Sequence, residues 1–242
     1  MKNVLLSRED FSDFPIGEFP YDRDHSAMGE YQYVTEKGYH GHWLDQVCNY
    51  TWNGTGPTWL ITALDGKHFM ECMRLEKNRP HRMFPTLETG SPDWKDYKVS
   101  VTLRRLSQRG MAGLVFCLNH SIDTLVFSLE ERDQAVLSYR HKEEIHVLSR
   151  AEYPHNSDGS YRLEADVEED QVRCFINGQL ILTAQAPQAA RGGKAGITAD
   201  CPSRFSDFEV FVSPEGKARI QEAREKRKEL EKQAMAAHVP MK

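Results

Sequence analysis

Three tryptophans, Trp43, Trp52 and Trp59, fall in one short stretch with Tyr50 between them. Sugars present apolar C–H faces that stack on aromatic rings, so a flat aromatic in a cleft makes a saccharide platform. Trp52, in the turn-rich "NYTWNGTG", and Trp59 are the expected platform residues. For either one, burial in a core is the alternative. Downstream, Arg74, Arg79, His81 and Arg82 gather around a Pro-containing loop. Arginine presents a planar fork that matches a carboxylate through two hydrogen bonds. These side chains would anchor an acidic saccharide, or else form a solvated loop bridged to Glu76 or Glu88. Arg140 and His141, at a strand end, fit either picture.

Carboxylates for glycoside chemistry are present, but none stands out as a pair. A glycosidase needs two carboxyl groups whose pKa values are pushed apart. Glu71, Glu130, Glu164 and Asp166 all lie on strand-like runs, and His68 with Glu71 does not make H-E-x-x-H. For a lyase the base could be His, Lys or Tyr, and the residues offer too many choices to select one. The five cysteines, Cys48, Cys72, Cys117, Cys174 and Cys201, are odd in number and include no C-x-x-C pair, which argues against a zinc site or a disulfide framework.

The elements that would position these residues are strands. In "DYKVSVTLRRL", Tyr97, Val99, Val101 and Leu103 face one way and Lys98, Ser100, Thr102 and Arg104 the other. Further runs follow at the spacing of an antiparallel sandwich: "GLVFCLN", "DTLVFSLE", "AVLSYR", "EIHVLS", "YRLEADVE", "KAGITAD" and "FSDFEVFV". In "RCFINGQLIL", Asn177-Gly178 predicts a two-residue hairpin turn, because both positions need φ > 0. Upstream, "TWLITAL" and "HFMECMRL" read as strands. Residues 1–45 read as an ordered but irregular wrap, and 76–94 as a long loop. Ser213-Pro214-Glu215 is a helix start, and the charged stretch after it, with no continuous apolar stripe, reads as an exposed helix or as one packed weakly on the sandwich. The division is therefore a β-sandwich over 1–212 and a helical tail or linker over 213–242.

Bulk properties narrow the partners. Of 242 residues, 39% are hydrophobic and 28% charged, with a net charge of −5, which disfavours nucleic acid. No apolar run reaches the roughly 20 residues a membrane span needs. The first residues lack the apolar core of a secretory leader, so a cytoplasmic location is expected unless a leader was removed.

The block from Trp94 to Val212 resembles the concanavalin A-like jelly rolls of the laminin-G and 3-keto-disaccharide hydrolase type. The resemblance rests on "WKDYKVSVTL", "AGLVFCLN", "YRLEADVEEDQVRCFINGQLIL", "GGKAGITAD" and "FSDFEVFV". The N-terminal half, with "GEFPYDRDHSAMGEY", "NYTWNGTGPTW" and "EKNRPHRMFPT", looks like the leading module of bacterial rhamnogalacturonan-lyase-like polysaccharide-degrading proteins. The resemblance implies an all-β jelly roll of two antiparallel sheets that recognises an oligo- or polysaccharide of plant type, or supports a downstream catalytic domain. It also implies a structural Ca2+ tying the N-terminal wrap to the last strand, with Asp13 and Asp207 as oxygen ligands of the type calcium takes. The E-x-D-x-x-E strand signature of jelly-roll glucanases is absent. Two other expectations stand beside the binding module. One is a glycoside hydrolase or polysaccharide lyase acting at the concave sheet. The other is an interaction domain that binds a protein through the C-terminal helix.

Overall fold

The computed structural model describes residues 2–19, 43–45, 58–73, 85–120, 123–142, 144–153, 156 and 158–237. Trp52, Arg74, Arg79, His81 and Arg82, and with them the expected arginine loop, lie outside these residues. Among the described residues, sixteen strands and one α-helix follow in order: β1 (Val4–Glu9), β2 (Gly17–Phe19), β3 (Leu44–Asp45), β4 (Trp59–Leu64), β5 (Lys67–Cys72), β6 (Thr86–Thr89), β7 (Tyr97–Arg105), β8 (Ala112–His120), β9 (Asp123–Glu130), β10 (Gln134–His141), β11 (Glu144–Glu152), β12 (Ser160–Glu168), β13 (Gln171–Ile176), β14 (Gln179–Gln185), β15 (Lys194–Ala199), β16 (Ser203–Val212) and α1 (Pro214–Ala237).

The strands form two antiparallel sheets. The nine-stranded sheet runs β14-β13-β12-β7-β16-β5-β4-β2, with β1 also paired to β16; the seven-stranded sheet runs β11-β10-β9-β8-β15-β6-β3. Period-two patterning explains the packing of the first. Val99, Val101 and Leu103 of β7 and Leu163, Ala165 and Val167 of β12 are fully buried in the inter-sheet core. Lys98, Thr102, Arg162 and Glu164 alternate with them on the outer face. Against the expected irregular wrap, β1 pairs with β16 from Val4↔Val212 to Glu9↔Phe208. Likewise β6, inside the expected 76–94 loop, pairs with β15. Both are short runs enclosed by turn-forming residues, which hides their alternation.

The seven-stranded sheet is buried on both faces at its centre. Leu114, Phe116, Leu125, Phe127 and Leu137 enter the inter-sheet core, while Met111, Val115, Leu118 and Val126 form a second cluster on the outer face. This is why β8 and β9 read as nearly continuous apolar runs.

Two local devices fix the register. Asn177 (φ 51°) and Gly178 (φ 81°) form the predicted hairpin turn; the Asn177 side-chain oxygen accepts the Arg162 N–H at 2.8 Å, tying the turn to β12. In β8, Cys117 sits at φ 51° within a register shift. Its N–H donates to the Tyr97 hydroxyl at 2.7 Å, and that hydroxyl donates to the Lys194 carbonyl at 3.0 Å. Tyr97 thus bolts the two sheets together. Among the described residues no helix is long and apolar enough to cross a membrane.

The helix begins as expected. The Ser213 hydroxyl accepts the Gly216 N–H at 3.0 Å, and Pro214 occupies the first helical position. Of the two expected forms it takes the packed one. Ile220 packs on the core, Arg219 pairs with Asp96 at 3.3 Å, and Arg227 pairs with Asp93 at 2.8 Å.

Candidate saccharide groove

Strand alternation separates Arg140 from His141. Ala135, Leu137 and Tyr139 of β10 face the inter-sheet core, so Ser138 and Arg140 face outward. There they line an open groove of about 570 Å3 together with Glu130, Glu131, Arg132, Gln134, Ile145, Arg150 and Asp200, closed at one side by Gly110 and Met111. Neighbouring strands bring these residues together: Arg140 pairs with Ile145 and Val136 with Arg150 across β10 and β11, and Gln134 pairs with Glu130 across β9.

The groove wall is built on buried polar contacts. Arg105, 9% exposed, reaches under the 106–111 turn and donates to the carbonyls of Glu130 (2.8 Å) and Gly110 (2.9 Å). The Glu131 carboxylate accepts the Gly110 N–H at 3.1 Å, and Asp200 accepts the Met111 N–H at 2.5 Å. Burial pushes the Asp200 carboxyl above its ordinary range, and the nearby Glu130 charge pushes the same way; the Met111 N–H and the Arg140 charge oppose the shift. Burial pulls the Arg140 guanidinium down to about 10, against the attraction of Asp200 and Glu130. At neutral pH Arg140 therefore remains a cation. The groove combines bidentate planar donors, carboxylate and amide acceptors, and the apolar surfaces of Met111 and half-exposed Ile145.

The remaining expected residues lie elsewhere. Trp59 is fully buried and packs on Phe205 with ring centroids 6.1 Å apart. It starts β4 in the same phase as buried Ile61, so it is a core side chain and offers no platform. His141 lies on the opposite face from Arg140, where its Nδ1 is 3.0 Å from Asp123 Oδ1; the Tyr139 hydroxyl donates to the same oxygen at 2.5 Å. The two residues expected to hold calcium have these surroundings. Asp13 is exposed, and the Lys67 ammonium sits 2.7 Å from Asp207, supplying the positive charge there. Among the described residues no group of three or more His, Cys, Asp or Glu side chains is placed to hold a metal ion. Cys72, Cys117, Cys174 and Cys201 are buried and form no disulfide with one another.

Asp200 carried no motif that would single it out. The topology alone brings the turn after β15 beside the end of β9, and that neighbourhood is set by long-range pairing.

No protein-family model matches the chain, and no curated protein matches it in sequence. Similarity appears in structure. The chain is similar to the carbohydrate-binding module CBM66 from Bacillus subtilis, at 12% identity and TM-score 0.51, over 64% of this chain and 96% of that one. It is also similar to a protein of unknown function with a galectin-like fold from Bacillus subtilis, at 13% identity and TM-score 0.54, over 88% and 97% of the two chains. A third similar structure is a LamA variant from Z. galactanivorans in complex with laminaritriose and laminaritetraose, at 7% identity and TM-score 0.53, over 87% and 100%. At these identities the likeness establishes the fold, a jelly-roll, galectin-like β-sandwich of two antiparallel sheets.

Proposed function

We propose that this chain is a carbohydrate-binding sandwich that holds a saccharide in the groove on the outer face of its seven-stranded sheet, with Arg140 as the principal anchor. The observation that carries the reading is the groove itself. Arg132, Arg140 and Arg150 present planar donors, and Glu130, Gln134 and Asp200 present acceptors, beside the apolar edges of Met111 and Ile145. A sugar ring offers the complementary set: vicinal hydroxyls that pair with forked side chains, and C–H faces that cover apolar surface. Hydrogen bonds to charged groups are worth about 1.5–3 kcal/mol, against about 0.5–1.5 for neutral ones, so the arginines set the affinity. The similarity to a carbohydrate-binding module and to an oligosaccharide complex supports the same reading. The three arginines also suit a uronate-containing saccharide of plant type, and in this reading the helical tail joins the sandwich to a catalytic partner.

A second reading has its own observation. Asp200, a carboxyl raised by burial, lies close to Glu130 in the same groove. A pair of that kind can divide acid and base roles in glycoside cleavage. Calorimetric titration with neutral glucan and uronate-containing oligosaccharides, on wild type and Arg140→Ala, tests the first reading. Binding that weakens about tenfold or more in the variant supports it; equal binding by both proteins, or none by either, rejects it. Release of reducing or unsaturated ends that disappears in Asp200→Asn would establish the second.

A further inference from the structure

The helix places cations where a packed helix would place apolar residues. Gly216, Ile220, Arg224 and Arg227 follow one another at four- and three-residue spacing and so share one face of α1. Gly216 and Ile220 are in contact with the sandwich. One turn further on, a cleft of about 440 Å3 opens between helix and sandwich, and Arg224 and Arg227 line it. Across from them are Lys194 of β15, Ser7 of β1, and Thr89 and Gly90 at the end of β6. Among the described lining residues, every charged side chain is basic.

Among the described residues no carboxylate lines the cleft, although carboxylates stand behind two of its three cations. Lys194 is paired with Glu88, which is 6% exposed behind it. Arg227 is paired with Asp93 through Nε (3.1 Å) and Nη2 (2.8 Å), and its Nη1 lies 3.7 Å from Glu231 one turn on. No ion pair joins Arg224 to any described residue. Two like charges three residues apart on one helix face repel each other, and here they face a partly enclosed space, where a charge interacts more strongly than in open water. A helix face with that arrangement is stabilised by an anion between it and the sandwich. The cleft volume lies in the range of small-molecule pockets, about 300–1,000 Å3, which is larger than a bare ion requires.

We propose that this cleft binds a tetrahedral oxyanion, the phosphate or sulfate group of a small molecule. Arg224 and Arg227 of α1 contact it from one side and Lys194 from the other, and the Ser7 and Thr89 hydroxyls complete the shell. The site is separate from the Arg140 groove and does not depend on what that groove holds. Bound anion would bridge the tail to the sandwich and hold α1 in place.

The test is calorimetry and thermal unfolding of the whole chain with inorganic phosphate, inorganic sulfate, a hexose phosphate, a hexose sulfate and a hexuronate, at constant ionic strength in chloride. Wild type is expected to bind at least one phosphate or sulfate probe more tightly than the uronate and to rise in Tm. The comparison of phosphate with sulfate, and of free ion with ester, identifies the natural source. Arg224→Ala, an exposed position whose loss leaves the core intact, is expected to weaken binding of inorganic phosphate or sulfate about tenfold or more, while Arg109→Ala, an exposed arginine that lines neither cleft, leaves it unchanged. Arg224→Lys, which keeps the charge, is expected to restore part of the affinity. No binding by any probe, equal binding by Arg224→Ala, or equal response to chloride would overturn the assignment.

Discussion

At the scale of single residues, Tyr97 carries more than its ring. Its hydroxyl serves the Cys117 N–H and the Lys194 carbonyl at once, and burial keeps its pKa well above the ordinary tyrosine value, so it stays neutral. Tyr97→Phe keeps the packing and removes both hydrogen bonds. A loss of about 1–3 kcal/mol per buried group left unsatisfied is expected, read as a lower urea midpoint with unchanged slope. Asp200 makes a pH prediction. Its folded pKa is raised, chiefly by burial, so the unfolded chain loses that proton first. Its contribution is favourable below the unfolded value of about 3.9 and is lost as pH rises through the raised folded value. Asp200→Asn removes this loss, so the Tm of the variant minus that of wild type should grow from pH 4 to pH 7. A constant difference would contradict the shift. The sequence made some of this visible and concealed the rest. Trp59 shares a strand phase with Ile61, so its burial could have been read from alternation. The same period separates Arg140 from His141. By contrast, Asp200 and Glu130 meet only through the order of strands in the sheet, which no local pattern encodes.

At the scale of elements, the turn between β13 and β14 was fully legible, because Asn-Gly in that context has one low-energy conformation. Gly178 has no neighbour within 4 Å of the position a Cβ would take. Its replacement by Ala is therefore a conformational cost alone, about 1–2 kcal/mol. Gly90, also at positive φ, would bring a Cβ to 2.3 Å from the Trp94 ring; Gly90→Ala should cost more than Gly178→Ala in the same denaturation experiment. The start of α1 was legible from its cap, but whether the helix docks on the sandwich was not. The contacts that hold it are one half-buried isoleucine and ion pairs to Asp93 and Asp96, which are single acidic residues in a turn. Surface pairs of this kind contribute about 0–1 kcal/mol each. Removing residues 214–242 is expected to lower Tm by less than about 10 °C, since about 1 kcal/mol shifts a domain of this size by about 2–4 °C. Circular dichroism of the truncated chain should retain the β signature.

At the scale of the whole molecule, the alternation along β7, β12 and β16 announced a sandwich, while the pairing of the first strand with the last did not appear in any single stretch. β16 lies against β7 on one side and against β5 and β1 on the other. A chain ending at residue 202 would lack the strand that three others need, and it is expected to give no cooperative thermal transition, unlike the chain ending at 213. That arrangement also bears on how the protein is made. Synthesis proceeds at about 5–20 residues per second, so β1 emerges about 10–40 seconds before its partner exists. Through that interval Val4–Glu9 has open edges, and Tyr97–Arg105, made about 100 residues before β16, waits about 5–20 seconds with one; other nascent chains could join either. A chaperone that holds extended segments should therefore raise the yield of folded protein more than one that acts after release from the ribosome.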